Sequence, residues 1–305
     1  MDAAPDVWRF DAIGTAWEIV SERPLPQPLR QEVQACVELF DRTWSRFRLD
    51  SAVSALARGG QIAAPSDAAP MLDAFAALSE ATGGAVNPLV GASLDALGYD
   101  ADYTLRDRDA LPAPADWRDL LTWRDGRLAL AGPATIDVGA LGKGRLVDLV
   151  LAVVARTTRG DLTVDAGGDL AVRGRPQRIG LEHPFHPRRA IGVWEVTDAA
   201  LCASAINRRA WPSVTGATLH HVLDARTGQP VQTMAATWAV APDAMTADAV
   251  ATALFFEGGP RLAHAWDVEW VRMTTDGRVE WSPGCRADLF LRADGGSDRA
   301  GFATE

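Results

Sequence analysis

The chain has 305 residues, 48% of them hydrophobic and 23% charged, enough to bury a sizeable core in one large domain or two closely fused lobes. Its formal net charge is −10 and it carries no run of Lys and Arg, which argues against nucleic acid as a partner, because phosphate binding needs a basic face. Cys36, Cys202 and Cys285 are far apart, odd in number and lack a Cys-x-x-Cys spacing, so they read as buried free thiols of a reducing compartment.

The N-terminal MDAAPDVWRF has neither the basic nor the apolar region of an export signal. No stretch is long and apolar enough for a membrane anchor. The expectation is a cytoplasmic protein.

Residues 8–20 read as one strand, with Gly14 marking a bulge or a close backbone approach. A proline-rich stretch at 24–28 leads into a helix, where Leu29, Val33, Val37, Phe40 and Trp44 recur at helical spacing. Leu72, Phe75 and Leu78 mark a second helix that ends at Gly83 and Gly84. Residues 100–118, rich in Asp, Arg and Pro, read as a surface excursion. Asp125-Gly126 and Asp276-Gly277 are hairpin signals.

The middle of the chain alternates. Strands are expected at 135–138, 161–164, 170–172 and 191–196, with a helix at 144–155. Isolated helices among hairpins favour an α+β fold of mixed or antiparallel sheets with flanking helices. Residues 1–292 read as the single domain and 293–305, small and polar, as a flexible tail.

Five stretches could carry chemistry. In IDVGALGKGRLVD (136–148), Lys143 sits among glycines where a strand gives way to a helix. It is not a Walker loop, since Asp137 stands where the first glycine is needed and Gly144 where Ser or Thr is needed. The geometry can nonetheless hold an anion or offer a carbonyl to a cation; a plain strand–helix turn with a solvated lysine is the alternative. In VDAGGDLAVRG (164–174), Gly167 and Gly168 would let a ligand lie against bare backbone, or form a bulged hairpin.

In LHHVLDARTGQPV (219–231), His220 and His221 alternate faces, so only one can point into a given site. In MTADAVATAL (245–254), Asp248 and Thr252 lie one turn apart on an alanine face. With a nearby backbone carbonyl they make an all-oxygen set suited to Mg²⁺. The alternative is a carboxylate serving its own helix dipole, with Thr252 bonded back to the preceding turn. In EHPFH (182–186), His183 and His186 offer half a transition-metal site with no third ligand placed by spacing.

In order, these stretches resemble the ApbE family, the FAD:protein FMN transferases. The similarity starts at WSRFRLDSAVSAL, with Ser45, Phe47 and Ser51. It continues through GAVNPLVGASLDALGYD, where Asn87 replaces an acid and Leu97-Gly98-Tyr99 replaces Trp-Gly-Phe. Asp137, Gly139, Lys143 and Gly144 match the family's Asp-x-Gly-Gly-x-x-Lys-Gly, and Gly167-Gly168 its Gly-Gly pair. Ser204-Ala205 stands for Ser-Gly. His221, Asp224, Thr227, Gly228 and Pro230 follow, then Thr246, Ala247, Asp248 and Thr252.

The resemblance implies an ApbE-like fold and Mg²⁺-dependent transfer of FMN from FAD to a Ser or Thr hydroxyl of an acceptor flavoprotein, with release of AMP. It implies that Asp248, Thr252 and the Ala140 carbonyl hold the metal. Phe47, Leu97, Gly98, Tyr99, Asp137, Lys143, Gly167 and Gly168 would line the FAD site. His221 would stand near the diphosphate as acid/base or phosphate contact, making His221 and Asp248 the catalytic candidates. Two other activities fit the same residues: an FAD pyrophosphatase yielding FMN and AMP, and a non-catalytic FAD-binding or storage protein. The small alanines of the 245–254 helix are expected to let it approach the 139–143 turn closely enough for the three oxygens to share one ion.

Overall fold

The computed structural model describes residues 4–290 apart from 215 and 217; the expected tail at 293–305 lies outside the described residues. In chain order the elements begin with strands β1 (Asp6–Ala12) and β2 (Thr15–Ser21), then helices α1 (Gln27–Trp44) and α2 (Ala52–Leu56). Strand β3 (Gly60–Ala63), helices α3 (Ala68–Ala81), α4 (Gly91–Ala96) and α5 (Trp117–Leu120), and strands β4 (Leu121–Arg124) and β5 (Arg127–Leu130) follow. Next come α6 (Gly142–Ala155), β6 (Leu162–Asp165), β7 (Asp169–Arg173), β8 (Gln177–Glu182), β9 (Ala190–Val196) and β10 (Ala199–Ala205). Four short strands, β11 (Ala210–Pro212), β12 (Thr218–His220), β13 (Leu223–Asp224) and β14 (Gln229–Pro230), precede β15 (Met234–Ala241). Helices α7 (Ala244–Ala253) and α8 (Gly259–Ala265) and strands β16 (Glu269–Thr274), β17 (Val279–Trp281) and β18 (Asp288–Leu289) complete the fold.

Eight strands form the central sheet in the order β1-β2-β6-β7-β10-β15-β16-β17. Every pairing in it is antiparallel. Side-chain alternation sorts its two faces. On β10, Ala200 and Cys202 join the core beneath α1, α3, α6 and α7, while Leu201 joins a second core on the opposite face. There the sheet β18-β9-β8 covers it with Leu181, Trp194 and Val196. The α+β expectation holds, in three layers.

Helix α1 buries the five apolar residues of its expected stripe, and α3 buries Leu72, Phe75 and Leu78. Two readings are corrected. Residues 8–20 are a hairpin, not one bulged strand: Ile13 (φ 45°) and Gly14 (φ 74°) both lie in the left-handed region, as a tight two-residue turn requires. Residues 135–138 are extended but join no sheet. Their backbone bonds go to the 88–91 segment instead, with Asp137 N donating to Pro88 O at 2.8 Å and Thr135 O accepting from Gly91 N, at the start of α4, at 3.2 Å.

Helices α6 and α7 touch at Gly144. A Cβ there would lie 2.1 Å from Ala244 O and 2.7 Å from the Asp248 Cβ, so only glycine fits. No helix of the described residues is long and apolar enough to cross a membrane.

Candidate functional site

A cavity of about 770 Å³ opens beside this helix contact. The 137–143 turn and α6 supply Asp137, Gly139, Ala140 and Lys143 to its wall, and α7 supplies Asp248 and Thr252. The 44–48 segment after α1 adds Arg46 and Phe47, the 97–103 loop adds Tyr99 and Tyr103, and the β6–β7 turn adds Gly167. His221 follows β12 and also lines it. Leu97, Gly98 and Gly168 are not among the lining residues.

Their places have physical reasons. Leu97 is 3% exposed and packs with Leu94, Tyr99, Trp211, Leu219 and Leu223. The Trp211 indole Nε1 donates to its carbonyl at 2.9 Å. Gly98 takes φ +85°, and a Cβ there would meet Arg106 N at 2.3 Å, so it serves the turn that sets Tyr99 at the cavity. Gly168 closes the β6–β7 turn, its N–H donating to Asp165 Oδ1 at 3.0 Å.

Asp248 is 3% exposed and does not serve its own helix. Asp243 caps α7, accepting from Thr246 N. Asp248 Oδ2 instead accepts from Gly144 N, in the first turn of α6, at 2.9 Å. Burial, and then repulsion from Asp169, push its carboxyl well above the usual range, with Lys143 opposing them. Thr252 does not bond back along α7; its Oγ1 donates across to Ala140 O at 3.0 Å.

Lys143 reaches from α6 to the fully buried Asp169 on β7, Nζ to Oδ2 2.9 Å. Burial works to lower its pKa, but Asp169 and Asp248 outweigh that, so it is raised and the ammonium is kept. Cys202 Sγ donates to Ala244 O at 3.3 Å, and burial raises the thiol far above its ordinary value. No cysteine is paired; Cys202 is buried, Cys36 and Cys285 half-buried.

Of the two histidines, His220 faces away: its Nε2 bonds the Val231 carbonyl at 2.9 Å. His221 lines the cavity, yet its Nδ1 is shut off from solvent and has no hydrogen-bond partner. Burial, then the nearby Arg209 and His220, push its pKa down to about 3, against a backbone hydrogen bond at Arg209. The ring is therefore neutral at pH 7 in the ligand-free protein.

The aromatic wall is Phe47, Tyr99 and Tyr103. Phe47 and Tyr103 lie parallel at 5.4 Å between centroids, and Tyr99 stacks on Trp211 at 5.7 Å. Arg209 bonds the Tyr99 hydroxyl. Asn87, where the resemblance expects an acid, donates Nδ2 to Pro114 O and accepts from Leu89 N, both at 2.8 Å. A carboxylate could not make the first of these bonds. Ala205, in the place of a family glycine, lies in ordinary β10 pairing opposite Ala236.

Sequence reading missed Arg46, Arg208, Arg209 and Asp169. Arg46, Arg208 and Arg209 line the cavity beside Asp41, Asp137 and Asp248, with Arg46 paired to Asp95 and Asp137 and Arg208 to Glu182. Arg46 stands between the two matched residues Ser45 and Phe47, and that adjacency was its one available signal. His183 and His186 sit on an exposed loop, rings 4.7 Å apart, away from this cavity.

The donor set suits a hard, weakly demanding cation. The Asp248 carboxylate, the Thr252 hydroxyl and the Ala140 carbonyl are all oxygens, and Mg²⁺ keeps several waters and takes few protein ligands. Among the described residues no cluster of three His, Cys, Asp or Glu could hold a metal by itself.

Known proteins share this architecture. An ApbE protein from Thermotoga maritima superposes with a TM-score of 0.80 at 22% identity, over 92% of this chain and 98% of that one. The apo form of the Pseudomonas stutzeri flavinyl transferase ApbE gives 0.74 at 24% identity, over 90% and 93%. An FAD:protein FMN transferase of Rhodobacter capsulatus is 28% identical over 94% of this chain, which spans only 59% of that relative. One from Treponema pallidum is 27% identical over 79% of this chain and 75% of its own length. The ApbE family model matches residues 13–270, which takes in the cavity and both contacting helices, and the chain belongs to the ApbE family.

Proposed function

We propose that this chain is an FAD:protein FMN transferase that uses Mg²⁺ to move FMN from FAD to a Ser or Thr hydroxyl of an acceptor flavoprotein, releasing AMP. The observation that carries the reading is the meeting of Thr252 Oγ1 and Ala140 O at 3.0 Å, on the cavity wall that also holds Asp248. Asp248, Thr252 and the Ala140 carbonyl are the proposed cation ligands. A cation bound there would neutralise charge on the diphosphate as the bridging P–O bond breaks.

The rest falls to the chain's own groups. Phe47, Tyr99 and Tyr103 offer faces to a planar ring, and Arg208, Arg209 and Lys143 offer charge to the diphosphate. The acceptor hydroxyl oxygen bonds to the FMN phosphorus, the bond to the AMP phosphate breaks, and AMP leaves with the bonding pair. The His221 ring, neutral and on the cavity wall, is the proposed acceptor for the hydroxyl proton. A bound dianion beside the ring raises its basicity from the low ligand-free value. Three cysteines outside any disulfide support a reducing, cytoplasmic setting.

The test is incubation with FAD, Mg²⁺ and a Ser/Thr acceptor, read by mass spectrometry. The expected result is acceptor heavier by one FMN, with free AMP; in-gel flavin fluorescence of a treated lysate extends the search for acceptors. FAD split equally well without acceptor would make the protein a pyrophosphatase. Stable FAD binding indifferent to chelator and to Asp248→Ala, with no modification, would make it a storage protein.

A further inference from the structure

We infer that Arg46 is a positioning residue, whose buried guanidinium fastens the turn presenting the Ala140 carbonyl to the aromatic wall of the cavity. The inference rests on the reading above, in which that carbonyl is a cation ligand.

The Arg46 side chain is 3% exposed, and its three nitrogens grip three separate segments. Nε donates to Asp137 Oδ2 and Nη1 to Asp95 Oδ1, both at 2.6 Å, while Nη2 donates to Tyr99 O at 2.7 Å. Its Cζ lies 4.1 Å from the centre of the Phe47 ring and 5.3 Å from that of Tyr99. One planar fork thus ties the end of α1, the end of α4 and the 137–140 turn together, which an ammonium point charge cannot do.

The chain of contacts runs on toward the cation ligands. The second Asp137 oxygen, Oδ1, accepts from Gly139 N at 2.7 Å, and Gly139 precedes Ala140. Asp137 thus links Arg46 through one oxygen to the backbone of the turn through the other. Without Arg46, the Asp95 and Asp137 carboxylates lose the cation between them; burial, and then the charges of Asp100 and Asp137, already raise the Asp95 carboxyl, and Arg46 opposes them. The turn would then lose the side-chain tie that sets it against α1 and α4, and with it the placement of Ala140 O.

The discriminating experiment measures Mn²⁺ binding to the full chain by electron paramagnetic resonance, with FAD binding and melting temperature followed in parallel. Arg46→Lys keeps the charge and loses the fork; Arg46→Met loses both. Each is expected to need at least about tenfold more Mn²⁺ for half-saturation, as loss of an outer-shell partner does elsewhere. Arg286→Ala, which breaks the surface pair with Glu269 at 2.6 Å, should leave Mn²⁺ binding unchanged. If Arg46→Lys folds and binds Mn²⁺ as tightly as the parent, the inference is wrong while the proposed function stands. If both Arg46 variants fail to fold, the clamp is only structural and the inference is equally lost. A parent protein that binds no Mn²⁺ with FAD present overturns the cation reading itself.

Discussion

Asp148 and Asp248 exchange helix ends. Asp248, on α7, accepts from Gly144 N at the start of α6. Asp148, on α6, accepts from Ala244 N at 2.7 Å and Met245 N at 2.9 Å at the start of α7. Each carboxylate thus satisfies amides that the partner helix cannot bond internally, and the two helices are locked in register beside the cavity.

Replacing Asp148 by Ala leaves the Ala244 and Met245 amides without acceptors. The expected cost is about 2 kcal/mol, the upper end for a lost cap, or a fall of several degrees in melting temperature. Urea unfolding at pH 7 measures it. A variant as stable as the parent would show that solvent takes over these amides.

The same residue and His221 give stability opposing pH dependences. Burial raises the Asp148 carboxyl from 3.8 to about 6, so the part of its contribution that varies with pH is full below about pH 4 and lost as pH rises through 6, while its bonds to the Ala244 and Met245 amides persist at pH 7. His221, lowered by burial from 6.5 to about 3, contributes fully above about pH 6.5 and progressively less as pH falls toward 3. Asp148→Asn should therefore steepen the rise of unfolding free energy between pH 4 and 6, and His221→Asn should flatten it. Urea titrations at four pH values test both slopes.

Asp248→Asn should abolish FMN transfer while weakening FAD binding only severalfold, because the ring-binding wall lies on other segments. Product mass and calorimetric FAD affinity separate the two effects. Equal losses in both would mean that the carboxylate holds FAD rather than the reaction's cation.

Gly144→Ala places a methyl group where Ala244 O already stands, at 2.1 Å. Overpacking of this kind costs about 1–3 kcal/mol, and here it also moves Asp248 off its amide. Lower melting temperature with weakened Mn²⁺ binding is expected; unchanged metal binding in a destabilised protein would separate the helix contact from the site.

The elements that were legible in the sequence are those whose signals are local. The α1 stripe and the Asp125-Gly126 and Asp276-Gly277 hairpins need only neighbouring residues to be read. The 135–138 segment has strand composition, but its backbone bonds go to Pro88 and to the start of α4, which no local pattern reveals. Phe47, Tyr99 and His221, singled out together by the ordered resemblance, line one cavity, whereas the Leu97 side chain turns into the Trp211 cluster. Arg46 was invisible because its partners lie 49, 53 and 91 residues away. Asp169 looked like any strand-start polar residue until Lys143 reached it across the fold.

The contact at Gly144 also carries a genetic consequence. The atom that would clash first is a backbone oxygen of Ala244, and backbone cannot be trimmed by changing a side chain. Trimming residue 244, or trimming residue 248 alone, therefore cannot suppress a substitution at 144. Revertants of such an allele should map either to 144 itself or to residues that shift α7 as a body. This codon should stand apart from its neighbours in a saturation screen, with glycine alone surviving.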